Sequence, residues 1–241
     1  MKHEFTTKRE LPKSTEKKLS KADEVYDFLY SCIIEGVWSP GERINDKEIS
    51  EHLGINRLAV REALSRFIQN GIIRQVHWKG YHLREISAQD VLSLVQVRVA
   101  LEHLAIELFL GRDEAVQEKA LAQIQYTIGR SAQLLTEGNV PKYMKVDFHV
   151  HELIYKASGN CMIAEVISNT RILTSIMRNL SMGNNPEDFQ VAATNSMRDH
   201  QKIHDALKSK DMEGAKAILS EHLAEAFANN IIRNIDERKT I

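Results

Sequence analysis

Along most of the chain apolar residues recur three or four positions apart, the spacing that gives a helix one buried face. Residues 22–35 carry Val25, Phe28, Leu29, Cys32 and Ile33 in that pattern, with Asp23 and Glu24 in the first turn, where the helix dipole favours anions. Gly36 ends this helix, and Trp38-Ser39-Pro40-Gly41 turns the chain back. Within residues 48–71, Ile49 and Leu53 give a short helix its apolar side, Gly54 stops it and Ile55 fills the corner. Asn56 can cap the next helix, in which Val60, Leu64 and Phe67 face a core while Arg57, Arg61 and Arg66 point elsewhere. Beyond Gly71 the period shortens. Residues 72–76 and 81–84 are β-prone runs on either side of Trp78-Lys79-Gly80, so a two-stranded ribbon is expected there.

From Ser87, a cap with Asp90 as its partner, the pattern is helical to the end. The first helix spans 88–110, with Val91, Leu94, Val95, Val97, Leu101, Leu104 and Leu108 expected inside. Further helices are expected over 113–137, 141–158, 161–182, 187–209 and 212–235, separated by Gly, Asn, Pro and Lys-Asp breaks. Six helices with short connections make an antiparallel bundle. The expected fold class is therefore mainly α. Residues 1–20 read as a flexible arm, 21–86 as a domain of helices with a ribbon and 87–238 as a helical domain.

Composition narrows the class. A chain of 241 residues with 43% hydrophobic and 27% charged residues and four prolines suits a helical globular protein. No run approaches the ~18 apolar residues of a membrane span, and the N-terminus has no signal-peptide core. Two cysteines, Cys32 and Cys161, are too few for a disulfide framework, so a cytoplasmic setting is expected. The net charge of −1 argues against an indiscriminate nucleic-acid coat. Residues 1–87 carry 15 Lys and Arg against 13 Asp and Glu, a small positive excess opposed by a negative one in the remainder.

A short helix, a Gly-containing turn and a second helix with arginines in its first turns form the helix-turn-helix pattern, which lays its second helix in a DNA major groove. An ordinary helical hairpin would share the two helices but would not need the ribbon; with it, the pattern is a winged helix-turn-helix. Residues 36–83 resemble the N-terminal domain of the GntR family of bacterial transcription factors. Pro40-Gly41-Glu42-Arg43, Glu48-Ile49-Ser50, Val60-Arg61-Glu62-Ala63-Leu64 and Gly71 carry that likeness. The resemblance implies that Arg57 and Arg61 read base edges, and that Arg43, Lys47 and the Lys79-Gly80 tip hold backbone or minor groove. Arginine suits the first task because its fork matches guanine O6 and N7. Where the family has Ser-Arg-Thr-Pro, this chain has Asn56-Arg57-Leu58-Ala59, so its operator is expected to differ.

Asp147 and His151, four apart, leave one face of a helix, and His200 and His222 stand on the last two helices. One carboxylate and three imidazoles suit zinc, nickel, manganese or iron, although ten histidines make spacing alone a weak guide. His149 faces away from His151, and His204 is a competitor for His200. Residues 147–160, with Asp-x-x-x-His and Ala-Ser-Gly-Asn, resemble the FCD effector domain of the FadR-like GntR subgroup, as do Arg198-Asp199-His200 and Glu221-His222-Leu223. The resemblance implies a divalent metal, zinc first, on Asp147, His151, His200 and His222, beside a small carboxylate effector. Arg98 could grip that carboxylate or form a salt bridge with Glu102.

A metal-dependent hydrolase is the rival class. It is disfavoured because His151-Glu152-Leu153-Ile154-Tyr155 has Tyr155 where HExxH needs a second histidine. A constitutive architectural DNA binder is the third. The expected function is that of a metabolite-responsive bacterial regulator, not an enzyme, binding a palindromic operator as a homodimer.

Overall fold

The computed structural model describes residues 20–181 and 186–225, so the expected arm, apart from Ser20, and the end of the last expected helix lie outside the described residues. The head consists of α1 (Lys21–Ile34), β1 (Arg43–Ile44), α2 (Asp46–Leu53), α3 (Arg57–Gln69), β2 (Ile73–Val76) and β3 (Gly80–Leu83). Local chemistry sets the boundaries. Ser20 and Asp23 form a reciprocal capping box at the start of α1, and Asn56 Oδ1 accepts from the Ala59 backbone N–H at 3.0 Å at the start of α3. Gly54 closes α2 in the left-handed conformation, φ +64°.

The sheet order is β1-β3-β2, all antiparallel, with Arg74 opposite His82 and Val76 opposite Gly80. β1 was not expected from sequence. It is two residues long, too short for a periodic signal, yet it buries Ile44 against the core. Val25, Leu29, Ile33, Val60, Leu64 and Phe67 are all sealed from solvent, and Tyr26 stacks on Phe67 with centroids 4.4 Å apart.

The second domain holds α4 (Ala88–Leu110), α5 (Glu114–Thr136), α6 (Val140–Ala157), α7 (Cys161–Ser181), α8 (Pro186–Lys208) and α9 (Met212–Leu223). α4 packs on α6, α7 and α9, while α5 packs on α6 and α8. The head joins this bundle through α1 and α7. There the Asn179 side chain donates to the Ile34 carbonyl at 3.1 Å, and Lys145 pairs with Glu35 at 3.4 Å. Gly36 has φ +74°, and a Cβ there would lie 2.9 Å from Asn179 Nδ2, so the close approach needs glycine.

One expectation is corrected. Val97, Leu104 and Leu108, expected inside, are 45%, 40% and 36% exposed, whereas Val91, Leu94, Ala105, Ile106 and Phe109 are buried. α4 is apolar on more than one side, and a 3.6 period cannot say which apolar face meets the core. The buried face also carries Arg98 and Glu102, each 2% exposed, joined by a hydrogen bond from Arg98 Nε at 2.8 Å and by an ion pair at 2.7 Å.

Burial works to raise the Glu102 carboxyl, but the Arg98 guanidinium and the His151 ring beside it bring it down to about 2. A depressed carboxylate contributes stability that is present above its ordinary value and is lost as pH falls toward the folded-state value. Glu102→Gln, which leaves a buried guanidinium without its anion, should cost about 3–5 kcal/mol in urea unfolding at neutral pH. The variant should also lose stability less steeply than the parent between pH 4.5 and about 2. A loss below about 1 kcal/mol would show that the pair contributes nothing the bundle needs.

Candidate DNA interface and metal centre

The first two turns of α3 present Arg57 and Arg61, about half exposed, on the outer face of the head. Both are held by Asp46, the first residue of α2. Arg57 donates to both its carboxylate oxygens at 2.9 Å, and Arg61 Nε donates to one at 2.8 Å. Partial burial works to raise Asp46, but the hydrogen bonds from Arg61 and Arg57 hold it below the usual carboxylate range. One carboxylate thus sets two guanidinium forks side by side, which lowers the side-chain entropy lost on contact with a ligand. The sequence offered no sign of this, since Asp46 lies eleven and fifteen positions from the arginines it holds.

Leu58 is 78% exposed between them, whereas Ala59 faces the core. An exposed apolar side chain on a groove-reading helix suits a thymine methyl group rather than a phosphate. Lys47 is exposed and lies 3.6 Å from Glu51. Arg43 lies against the ribbon tip, its Nε 3.5 Å from where a Cβ at Gly80 would be. Lys79 closes the tip with an N–H bond to the Val76 carbonyl at 3.0 Å. Arg66, itself exposed, is turned toward α1, donating to Asp23 at 2.9 Å and lying 4.0 Å over the Tyr26 ring.

The tip also carries an exposed aromatic residue. Trp78 is 94% exposed and has φ +64°, a conformation where a turn normally takes glycine. A bulky side chain held there costs of order 1–3 kcal/mol.

In the bundle, α6, α8 and α9 bring together His151, His200 and His222, all buried. His151 Nε2 lies 3.2 Å from His200 Nε2 and 3.2 Å from His222 Nε2. A carboxylate stands behind each ring: Glu102 accepts from His151 Nδ1 at 2.7 Å, Asp147 lies 3.4 Å from His200 Nδ1, and Asp199 lies 3.8 Å from His222 Nδ1. Burial pushes His151 and His200 below the ordinary histidine value, against the opposing pull of Glu102 and Asp147. With the Nδ1 protons directed to these outer carboxylates, the three Nε2 lone pairs would aim inward. That is the donor arrangement of a divalent-metal site with its supporting acids.

Asp147 is not part of the three-histidine group. Arg178 of α7 donates to its Oδ2, and Tyr143 and Ser196 donate to Oδ1 at 3.1 and 3.0 Å. Burial works to raise Asp147, but Arg178 beside it holds the carboxylate well below the usual range. His204 is turned to Asp205 and His149 to Glu152, so neither joins the group. Arg98 is engaged in its salt bridge with Glu102. Arg178, Glu102 and Asp199 had no assigned role at the metal on sequence grounds. Only Glu102 carried a signal, its spacing from Arg98.

The FCD domain family matches residues 93–225, more than half of the chain, and the family described as bacterial regulatory proteins, gntR family, matches residues 21–83. The HTH-type transcriptional regulator YdhC of Bacillus subtilis strain 168 is 26% identical over 200 residues, 83% of this chain and 86% of its own. The HTH-type transcriptional repressor RspR of Escherichia coli K12 is 23% identical over 205 residues, 84% and 85% of the two chains. Among solved structures, Escherichia coli McbR/YncC superposes with a TM-score of 0.72 at 22% identity, over 92% of this chain and 100% of that one, a likeness of fold.

The strained, exposed Trp78 yields a two-sided test. Trp78→Gly should raise thermal stability by about 1 kcal/mol and weaken binding to the chain's own operator about tenfold, ~1.4 kcal/mol. Greater stability with unchanged DNA affinity would remove Trp78 from the interface.

Proposed function

We propose that this chain, a transcriptional regulator that belongs to the gntR family of bacterial regulatory proteins and carries an FCD domain, acts in the cytoplasm on a palindromic operator as a homodimer and answers to a small carboxylate effector held beside a divalent metal. Its relatives are regulators, and the chain is not an enzyme. The observation that carries the sensor half is the convergence of three buried imidazole Nε2 atoms, each ring backed by a carboxylate.

His151, His200 and His222 would hold the ion. Zinc suits them first, and nickel, manganese and iron share the same donor chemistry. Bound there, a divalent ion supplies a Lewis-acid position for an effector carboxylate. Asp147, which here stands behind His200 Nδ1, would complete the proposed set of four by turning to the ion, and that would loosen the hold of Arg178 on it. Arg178 is followed by Asn179, whose side chain donates to the end of α1. A change in the hold on Asp147 therefore reaches the head through two adjacent residues of α7. Effector must favour one arrangement of these contacts over the other, since equal affinity for both would shift nothing.

On DNA, Arg57 and Arg61 read base edges in the major groove, Lys47 and Arg43 hold the backbone, and Lys79 and Gly80 approach the adjacent minor groove or phosphates. Leu58 directs a preference for thymine at the position it faces. A single α3 reads few base pairs, so two heads are needed for useful selectivity. The exposed stripe of Val97, Leu104 and Leu108 on α4, repeating every three to four residues with Leu101, suits pairing with the same stripe of a second copy. Repression is the proposed direction, the role named for RspR.

Two measurements on the full chain test this reading. Arg61→Ala should weaken operator binding by about 1–3 kcal/mol and relax the sequence preference. Elemental analysis should find about one transition-metal ion per chain, lost in the His200→Ala, His222→Ala double variant. Operator affinity unchanged in Arg61→Ala would overturn the groove assignment. A parent protein without stoichiometric metal would overturn the sensor.

A further inference from the structure

A cavity of about 300 Å³ lies where the head meets the bundle, between the end of α1 and the facing sides of α6 and α7. That volume is at the lower end of small-molecule pockets. None of the three metal-centre histidines lines it. Its walls divide by chemistry. Ile34 and Phe148 supply apolar surface, and Arg171 and Arg178 supply guanidinium groups. Lys145 and Glu35, also in the lining, offset one another as an ion pair. Arg178 shares its charge with Asp147. Arg171 lies 5.4 Å over the Phe148 ring and makes no ion pair among the described residues, so the cavity has a net positive wall.

A separate feature points the same way. Thr174, 1% exposed and in the cavity lining, has a hydroxyl buried without a hydrogen-bond partner among the described residues. Native proteins seldom leave such a group unmatched, because its desolvation is uncompensated. A carboxylate oxygen in the cavity would accept from it and from Arg171 together. At roughly 30 Å³ for each water-sized group, the space holds about ten non-hydrogen atoms.

We propose that this junction cavity is a binding site for a short amphipathic monocarboxylate, with its anionic end on Arg171 and Thr174 and its apolar body against Ile34 and Phe148. The site uses none of the three histidines of the proposed metal-centred effector site, although Arg178 borders both. Its occupant touches both α1 and α7, so it fastens the DNA-reading head to the bundle.

Octanoate is a probe of the right size and charge. Titrated into the full-length protein in a calorimeter, it should bind saturably, one per chain. Arg171→Gln should weaken it about tenfold or more. Thr174→Val, which keeps the volume and removes only the hydroxyl, should weaken it severalfold without lowering the melting temperature. The His200→Ala, His222→Ala double variant should keep its octanoate affinity within about threefold. 1-Octanol should bind at least about tenfold more weakly than octanoate. No saturable binding up to about 10 mM, or undiminished binding in both Arg171→Gln and Thr174→Val, would overturn the proposal. Octanol matching octanoate would reduce the site to an apolar crevice and overturn the carboxylate assignment. Octanoate binding lost in the double-histidine variant would put the probe at the metal centre, overturning the junction site while leaving the metal-sensor reading intact.

Discussion

The arrangement of the bundle depends on where three imidazole protons go. Each Nδ1 of His151, His200 and His222 faces a carboxylate, and a carboxylate can only accept. With those protons directed outward, three Nε2 lone pairs are aimed at one buried point, with His151 Nε2 3.2 Å from each of the other two. Lone pairs at that distance repel unless a cation or a proton stands between them, and burial disfavours the charged ring. The supporting acids are themselves dear to bury. Arg98 opposes Glu102, and Arg178 opposes Asp147, so the positive charges of the interior are arranged around the needs of the histidines.

This arrangement connects the bundle to the head by a short route. Asp147 is shared between the histidine side of α6 and Arg178 of α7, and Asn179 grips the last carbonyl of α1. Gly36 permits that grip because any side chain there would collide with Asn179. The route consists of packed groups and hydrogen bonds on two neighbouring residues, so a change at the centre need not cross the whole domain to be felt at α1. At the far end, Asp46 holds Arg57 and Arg61 together, which ties the exposed start of α3 to the start of α2.

What was legible in the sequence was local. Ser20 with Asp23, Ser87 with Asp90, Asn56 and Gly54 announce helix ends because each acts within four residues of itself. The helices of the bundle therefore lie within a residue or two of their expected ends wherever they are described. The ribbon was legible for the same reason, but β1, two residues paired to β3 across nearly forty positions, was not. α4 shows the limit of periodicity: it is apolar on two sides, and the choice between them belongs to its neighbours. At the site, the histidines stood out by likeness to a family motif, since ten histidines made spacing a weak guide. Their supporting acids did not. Asp199 adjoins His200 in the chain yet faces His222, and Glu102 reaches His151 across 49 positions. Asp46 and Arg178 were hidden in the same way, because long-range pairing leaves no mark on local sequence.

The central claim is that the three Nε2 atoms are metal donors. X-ray absorption at the metal edge of the purified full-length protein tests it most directly, because it reads the atoms bound to the ion rather than the stability or activity of the chain. A first shell fitted by about three imidazole nitrogens at ~2.0–2.1 Å, with oxygen filling the remaining positions, is the predicted result. A shell of oxygens alone, without the outer scattering of imidazole rings, would contradict it.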